Sequence, residues 1–105
     1  MSDLSQESWA EQLDRNAKAV VIDVRTEPEV AGGLIPDAIH IDIYKGQQFL
    51  NEIEILDRNK HYYIYCRSGI RSGQACNIMR QLGFNYTYNL VGGIEQWKGE
   101  ITNQK

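Results

Sequence analysis

YYIYCRSGIRS, residues 62–72, is the stretch of this chain that decides its fold. The first four residues are three tyrosines and an isoleucine, a composition typical of a buried strand. After Cys66 comes a polar turn containing Gly69, and residues 73–83 then have the apolar spacing of an α-helix. We therefore predict that Cys66 lies where a strand passes into a helix.

This predicted position of Cys66 suits an anion. The first backbone N–H groups of a helix lack carbonyl partners, and that end of the helix carries partial positive charge, so the pKa of a thiol placed there falls. Arg67 and Arg71 add positive charge. The pattern indicates a nucleophile for an anionic substrate. A purely structural buried cysteine is the alternative, but it requires neither the glycine nor the two arginines.

Composition predicts one soluble domain over residues 1–105, because this length supports a single hydrophobic core. Hydrophobic residues make up 42% and charged residues 24%, which are ordinary globular values. A net charge of −3 without a basic stripe argues against nucleic acid as a partner. We see neither an apolar run that could cross a bilayer nor a secretion signal, so we expect no membrane partner and a cytoplasmic location.

The two cysteines, Cys66 and Cys76, are too few for a disulfide framework and lack metal-ligand spacing. We expect reduced thiols, no metal site and no organic cofactor. On a helix over residues 71–82, Cys76 falls at the margin of the inward stripe, which favours a packing role. A resolving thiol that pairs with an oxidised Cys66 is the alternative.

Strand and helix patterns alternate along the rest of the chain. Helices are predicted over residues 5–14 with Trp9 as their anchor, 26–31, 44–56 and from Ile94 through Trp97, and strands over 19–24, 38–41 and 85–91. This order predicts a three-layer α/β domain whose central sheet is mainly parallel and carries helices on both faces. Sites in such sheets lie at the carboxyl ends of strands, where Cys66 falls.

Some polar residues have a simpler structural interpretation. Asp23 lies near the end of an apolar strand and should pair with Arg25 or with a backbone N–H, because a buried carboxylate is costly alone. His40 is expected to be a hydrogen-bonded structural residue and His61 to face solvent. For Ser72 we favour capping of the following helix over a hydrogen bond to the sulfur.

Four segments resemble the rhodanese family of sulfurtransferases. They are VIDVR (21–25) with Glu27 and Glu29, LIPDA (34–38) with Ile41, CRSGIRS (66–72), and LVGG (90–93) with Trp97. The resemblance implies a rhodanese-like fold in which Cys66 carries a sulfur atom as a persulfide. It also implies that the following residues surround that sulfur and the donor: Arg67, Ser68, Gly69, Ile70, Arg71 and Ser72. Residues 33–38 read GLIPDA where the family often has GHIPGA, so no role is carried over to them.

Loop length separates two chemistries. Cysteine phosphatases and related arsenate reductases place five residues between the cysteine and the arginine, whereas four separate Cys66 from Arg71. The shorter loop favours a single extra sulfur over a tetrahedral oxyanion. The expected partners are a small anionic sulfur donor such as thiosulfate and, as acceptor, cyanide, a thiol or a sulfur-carrier protein. A catalytically weak binding or sensing module on the same fold is the second alternative.

Overall fold

The computed structural model describes residues 2–103. Its strands are β1 (Asp3–Leu4), β2 (Ala19–Asp23), β3 (Ile39–His40), β4 (His61–Tyr65) and β5 (Thr87–Leu90). Its α-helices are α1 (Gln6–Arg15), α2 (Glu27–Ala31), α3 (Gln47–Glu54) and α4 (Ile70–Gln81), and 3-10 turns span Ile43–Lys45 and Ile94–Gln96. The strands form one sheet in the order β1-β5-β4-β2-β3, and each neighbouring pair is parallel.

Helices cover both faces of this sheet. On one face, Phe49 of α3 and Met79 of α4 share a buried cluster with Ile64 of β4. On the other face, Trp9 of α1 shares a second cluster with Tyr63 of β4. Because successive strand residues point to opposite faces, β4 supplies both clusters. The predicted three-layer α/β architecture with a mainly parallel sheet is therefore confirmed.

The predicted elements are found with shifted bounds, and two of them differ in kind. The helix predicted over residues 44–56 is divided, because Gly46 with φ of +56° separates the 3-10 turn Ile43–Lys45 from α3. The helix predicted from Ile94 through Trp97 is wrong, since only a 3-10 turn forms and Trp97 is already extended. Strand β1 is absent from the prediction, because two residues cannot display a strand pattern.

The predicted pairing of Asp23 with Arg25 is confirmed. The Nη2 of Arg25 lies 2.8 Å from Oδ2 of Asp23, and both side chains are buried. The same Nη2 donates to the carbonyl of Gly33 at 2.8 Å. Arg25 thus ties the end of β2 to the segment that follows α2, next to the carboxyl end of the sheet.

The two histidines have different outcomes. Nε2 of His40 lies 2.6 Å from the carbonyl oxygen of Arg25 and therefore donates to it, as expected of a structural residue. The solvent-facing position predicted for His61 is wrong. Its ring is half-buried, stacks on Tyr86 at 4.2 Å between centroids, and lies 2.7 Å from the side-chain nitrogen of Asn16. Tyr86, which lies just before β5, and Asn16, at the end of α1, cover it.

Cys76 is fully buried within the cluster on the α4 face, so its predicted place at the margin of the helix stripe is wrong. Burial raises the pKa of its thiol to about 11. This environment favours the packing role, because a neutral thiol is a poor nucleophile.

Within residues 2–103, every helix is too short or too polar to span a bilayer.

Candidate active site

Cys66 follows β4 directly and precedes α4, at the carboxyl edge of the sheet. Its side chain is completely buried, and its Sγ faces the loop formed by residues 66–72, called here the cysteine loop. The backbone N–H of Gly69 donates to Sγ at 3.1 Å. Cys66 therefore lies at the start of a helix with a main-chain donor directed at its sulfur, as its predicted position requires.

Gly69 gives the cysteine loop its shape. Its φ is +100°, a backbone conformation that residues other than glycine rarely adopt. A Cβ at this position would lie 3.2 Å from the carbonyl oxygen of Leu90 and 3.3 Å from the nitrogen of Gly92. Glycine thus allows the loop to turn its N–H toward the sulfur while packing against the segment after β5.

The surroundings of Cys66 lower the pKa of its thiol. Burial, the largest single influence, raises the pKa of the thiol. The hydroxyl of Ser72 and the backbone N–H groups of Ser68, Gly69 and Ser72 act in the opposite direction, and together they bring the pKa below its ordinary value. A lowered thiol pKa is the property that a nucleophilic cysteine needs, because the thiolate is the attacking form.

Ser72 lies inside the first turn of α4, where its side chain does not cap the helix. Gly69 is the N-cap residue, so the capping role favoured from the sequence is wrong. The Ser72 hydroxyl instead lies 3.3 Å from Sγ of Cys66 and also donates to the side-chain carbonyl of Asn89. The alternative role, a hydrogen bond to the sulfur, is the one the structure contains.

Each arginine of the cysteine loop pairs with a glutamate. Nη1 and Nη2 of Arg71 lie 2.8 and 2.9 Å from the two carboxylate oxygens of Glu29. These hydrogen bonds lower the pKa of Glu29 to about 2 and raise that of Arg71. Nε of Arg67 lies 3.2 Å from Glu95, in a pair whose side chains are largely exposed. The loop therefore has its two positive charges next to two negative ones.

The segment after β5 forms hydrogen bonds with the beginning of the cysteine loop. The N–H groups of Ile94 and Glu95 donate to the carbonyl oxygens of Cys66 and Arg67, each at 3.0 Å. Gly93, with φ of +61°, allows this approach, because a Cβ there would lie 2.3 Å from the Arg67 carbonyl oxygen. The glycine pair of the LVGG segment (90–93) is thus next to the cysteine loop.

Three further residues of the site are missed by reasoning from sequence. Asn89 looks like an ordinary polar position in an alternating strand, and Glu95 carries no local signal. The spacing of Glu29 from Thr26 indicates only a capping box, and the structure contains that box. The contact of Glu29 with Arg71 joins positions 42 residues apart, so no local pattern indicates it. Only the folded sheet brings these residues to the cysteine loop.

Two other features lie outside this site. A groove of about 880 Å³ runs between α1, residues 35–37 and residues 97–100, and no residue of the cysteine loop lines it. Among residues 2–103, no group of three or more His, Cys, Asp or Glu is arranged to hold a metal ion.

The chain is similar to known proteins over most of its length. A family model described as Rhodanese-like domain matches residues 6–100. A sulfurtransferase of Allochromatium vinosum is 35% identical over 97 residues, which cover 92% of this chain and 88% of the relative. The thiosulfate sulfurtransferase GlpE of Coxiella burnetii is 32% identical over 92 residues, 88% of this chain and 81% of the relative. The crystal structure of a rhodanese-like domain protein from Staphylococcus aureus matches with a TM-score of 0.83 and 27% identity, and each chain is covered completely.

Proposed function

The chain belongs to the rhodanese-like family and is a sulfurtransferase of the rhodanese type, and from this premise we propose that it transfers sulfane sulfur through a persulfide on Cys66. The donor is a small anion such as thiosulfate, and the acceptor is cyanide, a thiol or a sulfur-acceptor protein. The observation that carries the proposal is the N–H of Gly69 directed at Sγ of Cys66 from 3.1 Å.

In the first half-reaction, the Cys66 thiolate attacks the outer sulfur of thiosulfate. A new S–S bond forms as the S–S bond of the donor breaks, and sulfite leaves with the electron pair. Arg67 and Arg71 contact the sulfonate of the donor, because guanidinium groups bind such oxyanions with charge-assisted hydrogen bonds. The lowered pKa of Cys66 supports this step, since the thiolate is the attacking form.

In the second half-reaction, the acceptor removes the terminal sulfur and restores the thiolate. Before that step the persulfide is a stored anion, and donors fixed in advance stabilise an anion without reorganisation. The backbone N–H groups of Ser68, Gly69 and Ser72 supply this stabilisation. Ile70 is 71% exposed at the rim of the loop, where it contacts the incoming donor or acceptor.

The decisive experiment is mass spectrometry of the intact protein after incubation with thiosulfate. We expect the protein to gain the mass of one sulfur atom, and peptide mapping should place that atom on Cys66. The added mass should disappear when cyanide is added, and a Cys66→Ser variant should never gain it. Double-reciprocal plots should be parallel, because two half-reactions share one covalent intermediate. A wild-type protein that gains no sulfur, or a Cys66→Ser variant with normal turnover, contradicts the proposal.

The same samples separate the two rival functions. A phosphatase would hydrolyse p-nitrophenyl phosphate faster than it transfers sulfur, and a binding module would leave Cys66 unmodified by thiosulfate.

Both described cysteines are free thiols, which is typical of the reducing cytoplasm. We place the reaction there, within a single domain over residues 1–105.

A further inference from the structure

The groove beside α1, called here the α1 groove, lies apart from the cysteine loop. It has a volume of about 880 Å³ and is bounded by α1, residues 35–37 and residues 97–100. Much of its lining is apolar and comes from Ala10, Leu13, Val21, Ile35, Pro36 and Trp97. A concave, largely apolar surface of this size is typical of a binding site.

Hydrogen bonds hold the walls of the α1 groove in place. The side chain of Gln6 joins α1 to the segment on the other side, because its Nε2 donates to the carbonyl of Gln96 at 2.6 Å. The Oε1 of Gln6 accepts from the N–H of Lys98 at 2.8 Å. Within that segment, Nε1 of Trp97 donates to the carbonyl of Glu100 at 3.0 Å. The groove is thus formed in the free protein, and less conformational entropy is lost when a partner binds.

Exposed carboxylates border the α1 groove on more than one side. Glu7 and Asp14 belong to α1, Asp37 belongs to residues 35–37, and Glu100 belongs to residues 97–100. All four are exposed, and within residues 2–103 none of them forms a salt bridge. Lys98 is the single basic residue among the described ones that line the groove. The groove therefore combines an apolar lining with an excess of uncompensated negative charge.

The spacing of these carboxylates favours a peptide segment over a small cation. Glu7 and Asp14 are seven residues apart on α1, which corresponds to two turns and about 10 Å along the helix axis. A single ammonium group cannot contact both carboxylates across that distance. Two basic side chains seven residues apart on a second helix have the same separation, and the apolar face of such a helix can enter a groove.

We propose that the α1 groove binds a basic amphipathic helix of a protein partner. The apolar face of that helix packs on Leu13 and Trp97, and its lysine or arginine side chains pair with Glu7, Asp14 and Asp37. A tryptophan held in a preformed groove suits this role, because tryptophan is enriched among the residues that dominate binding energy at interfaces. No residue of the cysteine loop lines the groove, so the binding is tested independently of sulfur transfer.

Isothermal titration calorimetry with the peptide acetyl-KLAKLLKKLAKLLK-amide tests the proposal. As a helix, this peptide has leucines on one face and lysines seven residues apart at the borders of that face. We expect a Kd of about 100 µM or tighter for the wild-type protein at low salt. Binding should weaken when NaCl is raised from about 50 mM to about 500 mM, because salt screens exposed charges. The same peptide with glutamate in place of every lysine should not bind, because its charges repel those of the groove.

A triple variant removes three carboxylates of the groove: Glu7→Gln, Asp14→Asn and Asp37→Asn. Asparagine suits position 37, where φ is +66°, because it adopts this left-handed conformation as aspartate does. An exposed charge pair contributes little on its own, but the loss of three should raise the Kd for the lysine peptide by about tenfold.

The matched control removes three carboxylates on α2 and α3, away from the groove: Glu27→Gln, Glu52→Gln and Glu54→Gln. It changes the net charge equally and should change the Kd by less than about twofold, and thermal unfolding should show that both triple variants are folded. Equal weakening in the two variants would mean that net charge alone attracts the peptide. A wild-type protein that binds no peptide at concentrations up to about 1 mM, or binds both peptides alike, would also refute the proposal.

Two further measurements distinguish other occupants of the α1 groove. If hexylamine binds as tightly as the lysine peptide, the groove is a site for small amines. If sedimentation shows that the wild-type protein is a dimer and the groove variant a monomer, the occupant is a second copy of this chain. Either result would overturn the assignment to a basic helix of a protein partner.

Discussion

The hydroxyl of Ser72, which lies 3.3 Å from the Cys66 sulfur, donates a hydrogen bond to the side-chain carbonyl of Asn89. The orientation of Asn89 follows from its other partners. Its side-chain nitrogen donates to the Asp3 carboxylate at 2.9 Å and to the Gly69 carbonyl at 3.1 Å, and both of these groups only accept. The Ser72 hydroxyl has one proton and two acceptors within hydrogen-bond distance, the amide oxygen of Asn89 and the sulfur of Cys66. The side chains of Ser72 and Asn89 therefore form the polar support of the sulfur.

Removing the Ser72 hydroxyl should raise the pKa of Cys66. In Ser72→Ala the thiolate loses a side-chain donor and keeps only backbone donors, so the neutral thiol becomes more favourable. The pH profile of iodoacetamide alkylation, read by peptide mass spectrometry, should shift to higher pH. Cys76 does not interfere below about pH 9, because its pKa of about 11 keeps it protonated.

Ser68→Ala is the matched control for this shift. The side chain of Ser68 is not among the groups that lower the pKa of Cys66, and the substitution leaves its backbone N–H in place. Its alkylation profile should therefore coincide with that of the wild-type protein. A Ser72→Ala profile that is unchanged or moves to lower pH would remove Ser72 from the support of the thiolate.

Asn89→Asp should destabilise the protein, and Asp3→Asn in the same chain should recover part of the loss. A carboxylate at position 89 cannot donate to Gly69 and places a nearly buried charge against the charge of Asp3. We expect a loss of about 2–4 kcal/mol in the free energy of unfolding, measured with urea. In the double variant an amide at position 3 can donate to the new carboxylate. A double variant no more stable than Asn89→Asp would refute the coupling between β1 and β5.

The sequence was informative about the site wherever its residues are neighbours in the chain. The aromatic run of β4, the glycine turn and the spacing of α4 predict the position of Cys66, because each pattern reflects a local backbone preference. The capping box of Thr26 and Glu29 and the pairing of Asp23 with Arg25 are local in the same sense. These features need no knowledge of strand order.

Contacts between distant residues were not predictable from the same patterns. Asn89 reaches Ser72 because β5 lies beside β4, and it reaches Asp3 because β1 is added at the edge beyond β5. Periodicity shows that strands exist but not which strands are neighbours. The misplaced His61 has the same cause, since its cover comes from Tyr86 and Asn16, far away in the chain.

Loss of Arg25 should be among the more damaging single changes in the region of the site. In Arg25→Met the buried Asp23 carboxylate loses its partner, and the carbonyl of Gly33 loses a donor. Removing one member of a buried pair costs about 3–5 kcal/mol, which urea unfolding should show. Arg15→Met in the exposed pair with Glu11 should cost less than about 0.5 kcal/mol. Similar losses in the two variants would mean that the buried pair adds no stability of its own.

Protonation of Glu29 should contribute to acid unfolding. Its pKa is about 2 in the folded protein against 4.5 ordinarily, so its contribution to stability is complete above about pH 4.5 and is lost as the pH falls toward 2. After allowance for partial exposure, we expect this contribution to be about 1–2 kcal/mol. Glu29→Gln cannot titrate, so the stability difference between wild type and variant should shrink over this pH window in urea unfolding. A difference that is constant from pH 5 to pH 2.5 would show that Arg71 does not stabilise the Glu29 carboxylate.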